Sequence, residues 1–130
     1  MRSCIFCEIA KERKILYTDE LITVFHSIHR DAHLHLLIIS NRHIESCNNL
    51  QQSDMPLLEH MRDIAMRIVT PFKKRVCIGF HQPPFVSVPH LHLHVVIQPK
   101  LLHAIKYIDY TPWFISLDRF IRVFFIYGLG

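Results

Sequence analysis

Apolar residues recur at steps of three and four along the middle of the chain, at Leu57, Leu58, Met61, Ile64, Ala65, Ile68 and Val69. One face of an α-helix collects that spacing. Ser53 or Asp54 suits its cap, Pro56 its first turn, and Pro71 closes it. Elsewhere the period shortens toward two. Residues 15–18 and 21–26 read as short strands about an Asp19-Glu20 turn, a hairpin pattern. Residues 34–39 predict a buried strand, because a branched apolar run is interrupted only by His35 and ends at Ser40-Asn41. Residues 75–80 predict another strand, 82–89 a proline-punctuated loop, and 90–97 a strand ending before Pro99. A short helical turn is expected within residues 4–12, and a helix from about Ile115. Strands grouped as hairpins around one long helix, without regular βαβ alternation, predict an α+β fold with an antiparallel sheet.

Length and composition narrow this picture. At 130 residues, half of them hydrophobic and a fifth charged, the chain suits one domain, 1–130, with a sizeable core. That balance excludes a disordered or low-complexity protein. Lys and Arg exceed Asp and Glu by 15 to 11, and the longest run of like charge is Lys73 to Arg75. Such a mild positive field is weak support for nucleic acid and serves phosphate-bearing small molecules equally well. No apolar stretch approaches the roughly 18 residues of a membrane span. Nothing ahead of Cys4 has the pattern of a signal peptide, so the expected setting is a reducing one, cytoplasmic with the nucleus left open. In that setting Cys4-x-x-Cys7 reads as a metal half-site or free thiols rather than a disulfide. Cys47 and Cys77 have no partner signature and read as buried small hydrophobes.

Eleven histidines are more than packing comfortably explains. The densest run is His90-Leu91-His92-Leu93-His94-Val95-Val96. On a strand, alternation would put the three imidazoles on one face, about 7 Å apart, and send Leu91, Leu93 and Val95 into the core. Such a row could set different imidazoles against different atoms of one phosphate. The alternatives are a metal site and a polar face on an edge strand. Imidazole suits phosphoryl chemistry because it is a neutral nucleophile near pH 7 and its N-phosphorylated form is labile.

The same run resembles the histidine triad motif, in which three histidines alternate with apolar residues. The segments CIFCEIA at residues 4–10, HLLIISNRHI at 35–44, GFHQPPFVSV at 79–88 and PWFISLD at 112–118 extend the resemblance over residues 4 to about 121. Together they are most similar to the Hint branch of nucleotide-binding proteins, and within it to the type 3 group. The resemblance implies a five-stranded antiparallel sheet with two helices, a homodimer, and a purine nucleotide, AMP or its phosphoramidate, as partner. It further implies hydrolysis of nucleoside 5′-phosphoramidates through a nucleotidyl-histidine, with no cofactor required for catalysis. By motif position His92 is the nucleophile, flanked by His94 and His90, and His35 matches the fourth histidine of the site. These neighbours would hold phosphate oxygens and relay the proton that an amine leaving group needs. Ser87 matches a serine near the phosphate, and its other reading is a loop serine that satisfies a turn.

The chain also departs from the pattern. Ser27 stands where the resemblance expects an aspartate for both ribose hydroxyls, which weakens sugar recognition because charge-assisted hydrogen bonds are about twice as strong as neutral ones. Asp31 reads as a turn residue or a substitute for that carboxylate. Residues 39–43, Ile-Ser-Asn-Arg-His, stand where relatives carry a proline and lysines. Cys4, Cys7, His43 and His90 resemble the zinc ligands of some relatives. On that reading His90 is structural, and the other reading makes the cysteines packing residues. His26, His29, His33, His60 and His103 carry no motif and read as solvated or hydrogen-bonded, whereas His81 is open between the two roles. Trp113 and Phe114 read as core, with contact to a leaving group as the alternative.

Two other functions remain in view. Ser27 keeps open a catalytically weak nucleotide-binding or regulatory adaptor. Removal of AMP from DNA 5′ ends, as in the aprataxin branch with its similar GYH loop, is disfavoured because that branch carries a zinc finger after the triad domain and no cysteine follows Cys77.

Overall fold

A computed structural model describes residues 4–7, 14–86 and 88–127. Six antiparallel strands form one sheet in the order β1-β2-β3-β5-β4-β6. They are β1 (Ile15–Thr18), β2 (Ile22–His26), β3 (Ala32–Ser40), β4 (Val76–His81), β5 (His92–Pro99) and β6 (Phe114–Ser116). Helix α1 (Met55–Val69) joins β3 to β4, and α2 (Leu117–Tyr127) follows β6. Among the described residues, no helix is long and apolar enough to cross a membrane.

The period-two pattern sorts the sheet into two faces. Leu36, Ile38, Leu93, Val95 and Ile97 point to the side covered by α1, where they meet Leu58, Met61, Ile64 and Ala65 in the main core. Helix α1 has the apolar stripe expected of it, and Pro56 lies in its first turn. Asp54 closes the entry to that helix, accepting from the Gln51 backbone N–H at 2.9 Å and from Arg42 at 2.5 Å. The opposite face carries the histidines. Leu37 pairs with His94 and Ile39 with His92 across β3 and β5, while Gly79 of β4 lies opposite His94. Directly opposed residues share a face, so His35, His92 and His94 stand together on the side away from α1. Two small apolar clusters flank them, Phe6-Phe25-Leu37-Ile39 on one side and Cys77-Val96-Tyr107-Phe114 on the other. Gly79 is glycine for a local reason: a methyl there would collide with the Ile115 carbonyl and the Phe114 ring where β6 crosses.

Three expectations need correction. The sheet has six strands rather than five, the sixth being the three-residue β6 paired to the end of β4. Residues 114–116, which include the expected helix start at Ile115, are therefore strand, and α2 begins at Leu117. The triad does not lie on one strand: β5 starts at His92, because the Leu91 N–H donates to the Ile44 carbonyl at 2.6 Å and the His90 N–H to Val88 at 2.8 Å. Of the turn expected within residues 4–12, residues 5–7 are helical, and the rest of that segment lies largely outside the described residues. Cys47 and Cys77 are buried, as expected.

Candidate active site

β5 presents His92 and His94 two residues apart with ring centroids 4.9 Å from each other. Hydrogen bonds fix which nitrogen of each ring is free. The ring of His92 places Nδ1 at 2.6 Å from the His90 carbonyl, and since a carbonyl only accepts, Nδ1 carries the proton and Nε2 the lone pair. His35 arrives from β3, with Nδ1 at 2.8 Å from Asp31 Oδ1 and Nε2 at 2.9 Å from His94 Nδ1. The ionised carboxylate accepts, so His35 is protonated on Nδ1 and takes a hydrogen bond from His94 Nδ1–H. His94 Nε2 is then left buried with no hydrogen-bond partner among the described residues.

Burial sets the charge state. It pushes the His92 pKa down to about 4, although the hydrogen bond to the His90 carbonyl opposes the shift. Burial likewise drives His94 well below its ordinary value, and it lowers His35 and His81. A desolvated imidazole is neutral at pH 7, and the neutral ring is the nucleophile. Asp31 behaves in the opposite way. Burial alone would raise its pKa, but hydrogen bonds from Lys106, Tyr107 and His35 together hold it well below the usual carboxylate range.

Two chambers meet at these rings. The larger, about 410 Å³, is walled by Phe85, Trp113, Tyr107 and Lys106 together with His29, His35 and His81. The smaller, about 110 Å³, is lined by Phe6, Phe25, Ile28, Leu37 and Val88, with Ser27 among its lining residues. His92 and His94 line both, so a phosphorus atom beside them can carry one substituent into each chamber. The apolar chamber suits a flat base. The Ser27 hydroxyl already accepts from the His29 backbone N–H at 3.1 Å. Ser87 lies outside the described residues.

His90 is held elsewhere. Its Nε2–H donates to the Ser40 carbonyl at 2.7 Å, which leaves Nδ1 bare. That atom faces Cys4 Sγ at 3.2 Å, Cys7 Sγ at 3.5 Å and His43 Nδ1 at 3.2 Å, and Cys7 Sγ lies 3.7 Å from His43 Nδ1. All four donor atoms fall within 4.8 Å of one another. Zn–S bonds near 2.3 Å and Zn–N bonds near 2.0–2.1 Å would give tetrahedral edges of about 3.3–3.8 Å, so this donor set fits a four-coordinate zinc.

Several site residues were not legible in the sequence. Asp31, read as a turn residue or ribose ligand, is instead buried behind His35 and bonded to Tyr107. His81, open between roles, places its ring 4.6 Å from that of His94 and donates from Nδ1 to the Trp113 carbonyl at 3.0 Å. His29 stacks on His35 at 6.3 Å. Trp113 packs against the Cys77-Val96-Tyr107-Phe114 cluster and also lines the large chamber, and Phe114 is buried. The only sequence signal for these contacts was the GFH stretch around His81, since Asp31, Lys106 and Tyr107 meet through long-range folding. His60, read as hydrogen-bonded, pairs with Asp19 at 2.6 Å, far from the triad in sequence.

A bare imidazole nitrogen on His92 thus lies between two chambers beside the His35–His94 pair, and comparison with known proteins shows the family. The family described as "Scavenger mRNA decapping enzyme C-term binding" matches residues 3–106. The chain belongs to this family and, with it, to the histidine triad superfamily, where its relatives are Hint-like. It is 34% identical to the adenosine 5′-monophosphoramidase HINT3 of Danio rerio, over 94% of this chain and 82% of that one. It is 38% identical to the bifunctional adenosine 5′-phosphosulfate phosphorylase/adenylylsulfatase HINT4 of Arabidopsis thaliana, over 85% of this chain and 82% of that one. A HIT family hydrolase from Clostridium thermocellum shares the fold, with a TM-score of 0.68 at 23% identity, over 78% of this chain and 95% of the other.

Proposed function

We propose that this protein hydrolyses 5′-phosphoramidates of AMP, with His92 Nε2 attacking phosphorus. The observation that carries the reading is the 2.6 Å hydrogen bond from His92 Nδ1 to the His90 carbonyl, which leaves a neutral, buried ring with its lone pair on Nε2. The nucleoside occupies the small apolar chamber and the leaving amine the large one. Attack forms a bond from His92 to phosphorus and breaks the bond from phosphorus to nitrogen. The resulting nucleotidyl-histidine is then hydrolysed by water, so one hard displacement becomes two easier ones. The names of the two Hint relatives, both enzymes acting on AMP derivatives, support this choice of substrate.

Cys4, Cys7, His43 and His90 would hold a structural zinc, which fixes the segment before β5 and supplies no catalytic chemistry. A homodimer is part of the same reading, to be checked by light scattering. The second reading, a nucleotide-binding adaptor with weak catalysis, rests on Ser27, whose hydroxyl is already engaged by His29 and offers the ribose no charge. Steady-state assay on adenosine 5′-phosphoramidate separates the two. Turnover that disappears in His92→Ala supports the hydrolase, and AMP binding without turnover in the unmodified protein supports the adaptor.

A further inference from the structure

The attack by His92 leaves one buried charged group without a task. Asp31 is 2% exposed, and its two oxygens take His35 Nδ1–H at 2.8 Å, Lys106 Nζ at 2.7 Å and the Tyr107 hydroxyl. Burying a carboxylate is costly unless each oxygen is well bonded, and packing alone would be served by a neutral residue. Its contacts have a direction. Asp31 only accepts, so His35 is protonated on Nδ1. His35 Nε2 meets His94 Nδ1 at 2.9 Å, and the hydrogen-bond chain ends on His94 Nε2, which has no partner among the described residues and belongs to a residue lining both chambers. Lys106 reaches in from a side chain 39% exposed, and together with Tyr107 it keeps the carboxylate from turning away.

We propose that Asp31 is a positioning residue for proton delivery: anchored by Lys106 and Tyr107, it fixes the tautomers of His35 and His94, both neutral in the free protein, and lets that pair take up one extra proton when an anionic phosphate binds beside it, presented to the leaving group on His94 Nε2. The proposal rests on His92 being the nucleophile. As the bond from His92 to phosphorus forms, the bond from phosphorus to nitrogen breaks, and its electron pair on nitrogen takes the proton from His94. The amine leaves neutral and the pair is left neutral. In the second step water attacks phosphorus, its proton returns to His94 Nε2, and the electron pair of the His92–phosphorus bond returns to His92. AMP leaves and the proton count closes.

Two substrates of one nucleotide distinguish this role from a merely structural one. Adenosine 5′-phosphoramidate needs a proton on its leaving group, and the p-nitrophenyl ester of AMP does not. Asp31→Asn should lower the single-turnover rate of amine release from the phosphoramidate about 100-fold or more, the scale of general acid catalysis, and leave the first-step burst of p-nitrophenolate from the ester within about threefold. Asp31→Glu should restore part of the phosphoramidate rate. Tyr107→Phe, which keeps the ring and removes one anchor, should show a smaller loss of the same selectivity. Equal losses on both substrates, in whichever of these variants folds, would overturn the proposal. Nitrogen-15 NMR of the imidazoles in the unmodified protein with AMP needs neither turnover nor a variant. It should find His35 and His94 each protonated on Nδ1, and a bare His35 Nδ1 would overturn the role of Asp31 even if hydrolysis is established. Failure to turn over either substrate, with those tautomers present, would instead count against the hydrolase reading alone.

Discussion

His90 and His92 stand two residues apart in one motif, and the fold uses their rings in opposite senses. The His90 ring ties up Nε2 on the Ser40 carbonyl and offers Nδ1 to two cysteines and a histidine. The His92 ring ties up Nδ1 on the His90 carbonyl and offers Nε2 to the substrate chambers. In each case the backbone carbonyl that takes the ring's proton decides which nitrogen is bare, because a neutral ring has one donor and one acceptor. The backbone of His90 also links the two regions: its side chain belongs to the cysteine cluster while its carbonyl orients the His92 ring.

Substitution at each ring should separate these roles most sharply. His92→Ala is expected to cost at least about a thousandfold in kcat on adenosine 5′-phosphoramidate while leaving AMP affinity within about tenfold, since removing a nucleophile affects the transition state far more than the ground state. His90→Ala keeps its backbone carbonyl. It should lose metal and thermal stability, yet retain kcat within about tenfold below its melting temperature.

The proposed zinc site supplies the next contrast. Purified protein should contain about one zinc per chain by metal analysis, and Cys7→Ser should lower the melting temperature by roughly 5 °C or more. Metal-free protein of equal stability would return Cys4 and Cys7 to the packing role.

Acid should weaken the histidine face. Burial lowers His35, His81 and His94, so the unfolded chain, with imidazoles near 6.5, takes up protons before the folded one does. The stability held by these neutral rings is therefore complete above about pH 6.5 and is lost as pH falls toward their folded values. Thermal melts at pH 7.5, 6.5 and 5.5 should decline in that order, and a flat series would contradict the neutral rings.

The smallest effect concerns the sugar. Ser27→Asp should tighten AMP relative to 2′-deoxy-AMP by about 1.5 kcal/mol, roughly tenfold, the low end for a hydrogen bond to a charged group. Titrating both nucleotides into both proteins cancels unrelated damage. Equal effects on the two sugars would show that residue 27 does not face the ribose.

Much of this was legible where a local period carried it. The stripe from Leu57 to Val69 became α1, and the alternation of His92, Leu93, His94 and Val95 placed imidazoles on one face and apolar residues in the core. The resemblance in the Cys4, Cys7, His43 and His90 set also pointed to residues that the fold brings together. Legibility failed where partners are distant in sequence. His90 follows the same alternation as His92, and the bonds from the His90 N–H to Val88 and from the Leu91 N–H to the Ile44 carbonyl, 47 positions before Leu91, take the chain out of strand there. Asp31 has the local look of a turn, and its role depends on Lys106 and Tyr107 from the 3-10 helix after β5. β6 is three residues long, too short to show a period, and its partner β4 lies more than thirty positions earlier in the chain.

The central claim is that His92 alone among the triad histidines becomes covalently bonded to the nucleotide. Rapid alkaline quenching during turnover of adenosine 5′-phosphoramidate, followed by mass spectrometry of the peptides at alkaline pH, which preserves the acid-labile nucleotidyl-histidine, tests it directly. The account predicts one adenylyl group on His92, absent from His92→Ala and lost as AMP when turnover completes. An adenylyl group on His90 or His94, or full turnover with no adduct captured on the millisecond scale, would contradict it.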